Sequence, residues 1–318
     1  MDVGGLLPIE RQAYGRVDGC RSSTGCPWLR FAPRPPTMAH ASLSGFARRV
    51  ALPLVPAVSG CASEAPPPGS DWRLLWSDEF DGGPHPSTAH WGYDVGGGGW
   101  GNGEAQYYTE GRLQNARVDG GRLVIEAHRE PMGGHGFTSA RLVTRGRADW
   151  RYGRVEIRAR LPQARGTWPA FWMLPSTSRY GTWPENGEID LMEHVGHEPG
   201  VVFSTVHTAR SNHLQGTQRP GARALETATT AFHVYALEWE ADEIRAYVDG
   251  RLHFTFANER RLRPDATHRE WPFDQPFYLI LNLAVGGTLG GARGIDAAAW
   301  PQRLDVEYVR VYQRTEMS

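Results

Sequence analysis

Between Gly187 and Gly196 the chain reads GEIDLMEHVG, which places three carboxylates, Glu188, Asp190 and Glu193, in an otherwise apolar run. Like charges this close repel, and a carboxylate in apolar surroundings loses hydration. Solvent-facing charge on an ordinary strand is the plain explanation of an E-x-D spacing. Metal ligation is another, since clustered carboxylates attract hard cations. The surroundings, however, are Trp and Met rather than the Asn, Gly and further Asp of a calcium loop. In a strand, strict alternation sends Glu188, Asp190 and Met192 to one face and Ile189, Leu191 and Glu193 to the other. One inserted residue, a β-bulge, would swing Glu193 round to join Glu188 and Asp190. Two glutamates meeting across an aspartate suit glycoside hydrolysis with retention, in which the carboxyls stand about 5 to 5.5 Å apart and leave no room for water. One glutamate then attacks the anomeric carbon, while the other protonates the leaving oxygen and afterwards activates water. Asp190 raises the proton affinity of its neighbours and can hydrogen-bond the nucleophile.

Such a strand needs a sheet to hold it. GRVEIRARL sends Val155, Ile157, Ala159 and Leu161 to one side and Arg154, Glu156, Arg158 and Arg160 to the other, the period of a half-buried strand. Asp119-Gly120 before RLVIEA and Asp249-Gly250 before RLHFTF read as tight hairpin turns. FHVYALEWE, FYLILNLAV and LDVEYVRVYQ are further strands, and no long window keeps a helical period. The expected fold is an all-β sandwich of jelly-roll type in a single domain over residues 71–314.

The 318 residues can bury a sizeable core. A net charge of -1, from 34 Lys and Arg against 35 Asp and Glu, offers no long-range attraction to nucleic acid or an anionic membrane. Twelve Trp and eleven Tyr provide flat faces that suit sugar rings as well as core packing. Of three cysteines none follows Cys61, so the globular part is not a disulfide scaffold.

From Met38 the chain reads MAHASLSGFARRVALPLVPAVSGCAS, with basic Arg48 and Arg49, a short apolar run from Val50 to Val58 and small residues before Cys61. This pattern predicts an export signal over 38–60. Val58-Ser59-Gly60-Cys61 resembles the lipobox of bacterial lipoproteins, which would make Cys61 a lipid attachment point; a plain secretory signal is the alternative. The apolar run is far below the roughly 20 residues that span a bilayer. Residues 1–37 form an extension ahead of the expected start at Met38, and 61–70 form a Pro/Ser-rich spacer.

The motif WPENGEIDLMEHVG resembles the signature of family 16 of the glycoside hydrolases, in its laminarinase-like, endo-β-1,3-glucanase branch. LLWSDEFDG, WGNGEAQYYT, SARLVTRG, YGRVEIRARLP, GTWPAFWMLP, STVHT and FYLILNLAVGG extend the likeness across residues 72–313. The resemblance implies a curved, concanavalin A-like jelly roll whose concave face is an open sugar cleft. It implies Glu188 as nucleophile, Glu193 as acid/base and Asp190 as the assisting carboxylate, with the bulged spacing separating this branch from lichenases, which use E-x-D-x-E. It implies sugar stacking by Trp168 and Trp172, and cleft positions for His207, Asn102, Glu104, Arg141 and Asn282. No cofactor is expected for catalysis. Relatives often carry a structural calcium on the convex face, and Glu307 stands where an Asp ligand would; Leu289 stands where many relatives have Trp.

The function expected is retaining, endo-acting cleavage of β-1,3-glucan by an exported, lipid-anchored or secreted monomer. Competing expectations are mixed-linkage glucan or galactan as substrate, transglycosylation, and a non-catalytic glucan-binding protein. Intact Glu188 and Glu193 argue against the last, since binding alone requires no paired nucleophile and acid.

Overall fold

In a computed structural model, residues 71–315 are described and fall within one compact unit, Ala62–Ser318. The expected extension 1–37, the signal 38–60, Cys61 and the spacer 61–70 lie outside the described residues. Two antiparallel sheets face each other, and the only α-helix among the described residues is the single turn Gly287–Gly290. No helix among them is long and apolar enough to cross a membrane.

One sheet carries the carboxylates. Its strands are β1 (Gly92–Tyr93), β2 (Arg141–Val143), β3 (Thr167–Pro175), β4 (Glu188–His194), β5 (Val201–His207), β6 (Gly221–Ala224) and β7 (Phe277–Val285), in the spatial order β6-β5-β4-β3-β7-β2-β1. The facing sheet has eight strands and includes Gly153–Arg160, His233–Trp239 and the long final strand Gln302–Arg314. Alternation along Gly153–Arg160 is as expected: Val155, Ile157 and Ala159 are buried. The arginines opposite them pair across strands, Arg154 with Glu238 at 2.7 Å and Arg160 with Asp305 at 2.8 Å.

Both Asp-Gly pairs sit in hairpins, but their turns differ. Asp249 and Gly250 both have positive φ (48° and 71°) and alone join two strands, the twist-matched two-residue turn. At Asp119-Gly120 the loop is wider than expected, running from Asp119 to Arg122 with both Gly120 and Gly121 left-handed.

The core lies between the sheets and includes Phe171, Met173, Ile189, Leu279, Leu281 and Leu283 from the carboxylate sheet. Leu191 and Met192, adjacent in sequence, are both in this core, which simple alternation forbids. The register explains it. Against β3, Asp190 pairs with Trp172 and Met192 with Phe171, so Leu191 is the inserted residue. Beyond the bulge Glu193 pairs with Ala170, two residues from Trp172 and on its face, so Glu193 emerges on the same side as Asp190. Pairing with β5 agrees, since Glu188, Asp190 and Glu193 lie opposite His207, Thr205 and Phe203, again alternate residues. Met192→Ala is therefore expected to lower stability by about 2–5 kcal/mol through cavity formation, read as a fall in the urea midpoint. A neutral result would mean that Met192 faces the cleft and the bulge is absent.

Glu307, the expected calcium ligand, is ion-paired with Arg158 on the far sheet. Its neighbour Asp305 is buried and paired with Arg160 and Arg303. A carboxylate already neutralised by a guanidinium presents a cation with positive charge, so these side chains do not fit a calcium site.

Candidate active site

Gly187 introduces the carboxylate strand with φ at 87°, and a Cβ there would stand 2.7 Å from the Pro272 ring, so only glycine fits. From it Glu188, Asp190 and Glu193 project into a cleft also lined by Trp168 and Trp172 from β3, Arg141 from β2, Asn282 from β7, and Asn102 and Glu104 from the loop before Gln106–Tyr108. Every cleft residue expected from sequence lines this cleft except His207, which stands beside it. His207 Nε2 lies 3.4 Å from Asp190 Oδ2 and 3.9 Å from Glu188 Oε1. Leu289, in the one-turn helix, is not among the lining residues.

Polar contacts tie the walls together. The Trp168 indole N–H donates to Glu193 Oε1 at 2.9 Å, and that of Trp172 donates to Asn282 Oδ1 at 2.7 Å. Asn282 Nδ2 donates to the Tyr108 hydroxyl at 3.1 Å, which itself donates to Glu104 Oε2 at 3.2 Å. Gln106 and Asn102 donate to the Glu104 carboxylate at 2.6 and 3.2 Å. Trp172, set by the same strand as Trp168, is thus fixed through Asn282 to a buried relay. Sequence reasoning did not single out Tyr108 and Gln106, although both stand in the quoted motif WGNGEAQYYT.

Three other aromatic groups were also missed. Trp100 lines the cleft, Trp183 packs on His207 with centroids 5.8 Å apart, and His213 lies 4.9 Å from Trp183 and 5.2 Å from His207. Trp100 and Trp183 belong to motifs already visible in the chain. His213 had no local signal, because its loop meets the others only in three dimensions.

Burial decides the electrostatics. Loss of hydration pushes both Glu188 and Glu193 up to about 7, and Asp190 rises well above the ordinary carboxylate range through burial and its two charged neighbours. Burial also pushes His207 down to about 4, so it is neutral near pH 7. The two glutamates are not equivalent. The Asp190 carboxyl, the Trp183 indole and the Arg141 charge favour the ionised form of Glu188, against burial. Glu193 has the Trp168 hydrogen bond in its favour and the Glu188 charge against it. The pair titrates as a unit near 7, its two members holding different hydrogen-bond and charge partners.

The same shifts bear on stability. Carboxyls raised from 4.5 toward 7 hold protons in the folded state that the unfolded chain has released. Their contribution is fully present below about 4.5 and is lost as pH rises through about 7. Glu193→Gln is expected to flatten this decline, measured as urea midpoints between pH 5 and 8; an unchanged slope would contradict the burial effect.

Glu188, Asp190 and His207 also form the one group of three side chains among the described residues whose ligand atoms lie within 4.8 Å of one another. Burial raises the proton affinity of both carboxyls, so protons can neutralise the group in place of an ion.

An antiparallel β-sandwich whose cleft holds two proton-binding glutamates, an intervening aspartate and exposed indole faces defines a glycoside hydrolase. The chain belongs to family 16 of the glycosyl hydrolases, whose profile matches residues 103–310. It is 56% identical over 285 residues to a beta-glucanase of Rhodothermus marinus, covering 88% of this chain and 99% of the relative. A glucan endo-1,3-beta-glucosidase of Cryptopygus antarcticus is 39% identical over 250 residues, covering 75% of this chain and 91% of the relative. The solved laminarinase of Rhodothermus marinus superposes with a TM-score of 0.76 and 61% identity, over 77% of this chain and 98% of that one.

Proposed function

We propose that the protein hydrolyses β-1,3-glucan internally by double displacement with retention of configuration. The carrying observation is the bulge, which puts Glu193 on the cleft face with Glu188 and gives the two glutamates different hydrogen-bond partners. Glu188 attacks the anomeric carbon; as the carbon–oxygen bond to the leaving sugar breaks, Glu193 gives that oxygen its proton. Water then adds to the glycosyl-enzyme, losing a proton to Glu193 and releasing Glu188 as carboxylate. Asp190 and neutral His207 flank Glu188, with His207 Nε2 3.4 Å from Asp190 and 3.9 Å from Glu188. The indoles of Trp168 and Trp172 are suited to stack on sugar faces.

The names of the relatives support the β-1,3-glucan reading. Incubation with laminarin, lichenan, agarose and carrageenan, followed by reducing-end assay, tests it: laminarin is expected to be cut fastest, with β-configured ends appearing first by NMR. Preference for a galactan, or α-configured initial product, would overturn it. Export and anchoring through a diacylated Cys61 belong to the same reading, supported by the sequence VSGC. Mass analysis of the mature N-terminus is expected to find the lipid on Cys61; an unmodified start beyond residue 61 would remove the anchor.

A further inference from the structure

We propose that Ser204 is a positioning residue for Glu193: its hydroxyl, directed by His253 of the facing sheet, holds the carbonyl of the inserted Leu191 and so sets where the second glutamate enters the cleft. The proposal rests on the reading of Glu193 as acid/base.

Alternation along β5 poses the question. Its core-facing residues are Val202, Ser204 and Val206; the two valines belong to the hydrophobic core, and the serine between them is polar yet wholly buried. A hydroxyl in that position loses its hydration and needs a partner. The register supplies one. Asp190 and Glu193 pair with Thr205 and Phe203, so Ser204 is the single residue opposite both Leu191 and Met192. Leu191 has no register partner on β3 either. A bulge leaves its extra residue outside the ladder, and a buried carbonyl without a donor is destabilising. Ser204 Oγ donates to the Leu191 carbonyl at 2.6 Å.

The hydroxyl is itself directed from across the sandwich. His253, in the strand Arg251–Ala257 of the facing sheet, has its Nε2 3.2 Å from Ser204 Oγ. The one hydroxyl proton is committed to Leu191, so the ring presents Nε2–H and Ser204 accepts it. Gly221 permits this approach. It pairs with Ser204 from β6, and a Cβ on it would stand 2.5 Å from the His253 carbonyl oxygen and 2.7 Å from Phe254 Cβ.

Peptide planarity carries the effect to the site. The carbonyl of Leu191 and the N–H of Met192 share one rigid plane, so holding the first fixes the course of the chain into Glu193. There the glutamate meets the Trp168 indole at 2.9 Å. Glu188 and Asp190 lie ahead of the bulge, paired with His207 and Thr205. Loss of the Ser204 hydroxyl therefore falls on the acid/base and spares the nucleophile.

The test compares Ser204→Ala, His253→Leu and the double variant with the parent on laminarin and on a dinitrophenyl glycoside, with urea midpoints to show that each is folded at the assay temperature. Ser204→Ala is expected to lower kcat on laminarin by on the order of 10- to 100-fold with KM little changed, the effect of misplacing a catalytic group by about 1 Å. The burst on the dinitrophenyl glycoside should keep the parent's rate, because that leaving group needs no proton. His253→Leu is expected to show a smaller loss of the same kind, and it carries the comparison where Ser204→Ala is too unstable to assay. The double variant should be no slower than Ser204→Ala, since both changes act through one hydroxyl. Parent-like turnover of laminarin by folded Ser204→Ala, or equal losses on the two substrates, would overturn the proposal; additive losses in the double variant would overturn the part given to His253. Failure of the underlying reading is distinct, because Glu193→Gln itself would then lose equally on both substrates.

Discussion

Glu188→Ala is expected to bind laminarin while turning it over about 10⁴-fold or more slowly than the parent. The magnitude follows from losing a covalent route, since neither Asp190 nor Glu193 can take over the attack. Asp190 is buried at 4% exposure, and burial with its charged neighbours raises its proton affinity well above the ordinary carboxylate range, which weakens it as a nucleophile. Glu193, the proposed acid, is held by Trp168 at 2.9 Å. Truncation also empties the volume that the carboxylate filled beneath the anomeric carbon. With an activated aryl β-glycoside, added azide is expected to restore turnover and yield an α-configured glycosyl azide, because the small anion attacks from the vacated side. Retained binding with near-parent activity would refute the assignment of nucleophile.

Glu193→Gln is expected to show a loss that depends on the leaving group. On laminarin the departing sugar alkoxide needs a proton, and removing the acid costs about 10²–10⁴-fold. On a dinitrophenyl glycoside, whose leaving group departs as a stable anion, glycosyl-enzyme formation should proceed close to the parent rate and a burst should appear as the second step becomes limiting. Glutamine keeps an acceptor for the Trp168 N–H, so the wall of the cleft survives the change. The basic limb of the pH profile should disappear with the titrating group, and its persistence would assign the acid elsewhere. A parallel loss on both substrates would mean that Glu193 orients sugar rather than moving protons.

These two residues were legible in the chain because their signal is local. Alternation is a property of adjacent residues, and Glu193 violates it in a way that a single inserted residue repairs; the structure places that insertion at Leu191, between Asp190 and Met192. The strands bearing GRVEIRAR and FYLILNLAV follow the same short-range logic, as does the two-residue turn at Asp249-Gly250. Trp168, Trp172, Arg141, Asn282, Asn102 and Glu104 were found through motif resemblance, and the fold brings them into one cleft.

The environment of each group required the tertiary structure. Glu307 carries no mark in its own strand that Arg158, from a different strand, neutralises it. Trp183, His213 and His207 come from three separate segments, and no sequence period links them. Arg141 and Glu188 are separated by three strand pairings, yet the charge of one acts on the proton affinity of the other. Residue type and spacing determined which face each side chain shows, since backbone geometry alternates over two residues. Packing of distant strands decided how strongly each carboxylate holds its proton, because burial and electric field sum over everything near in space.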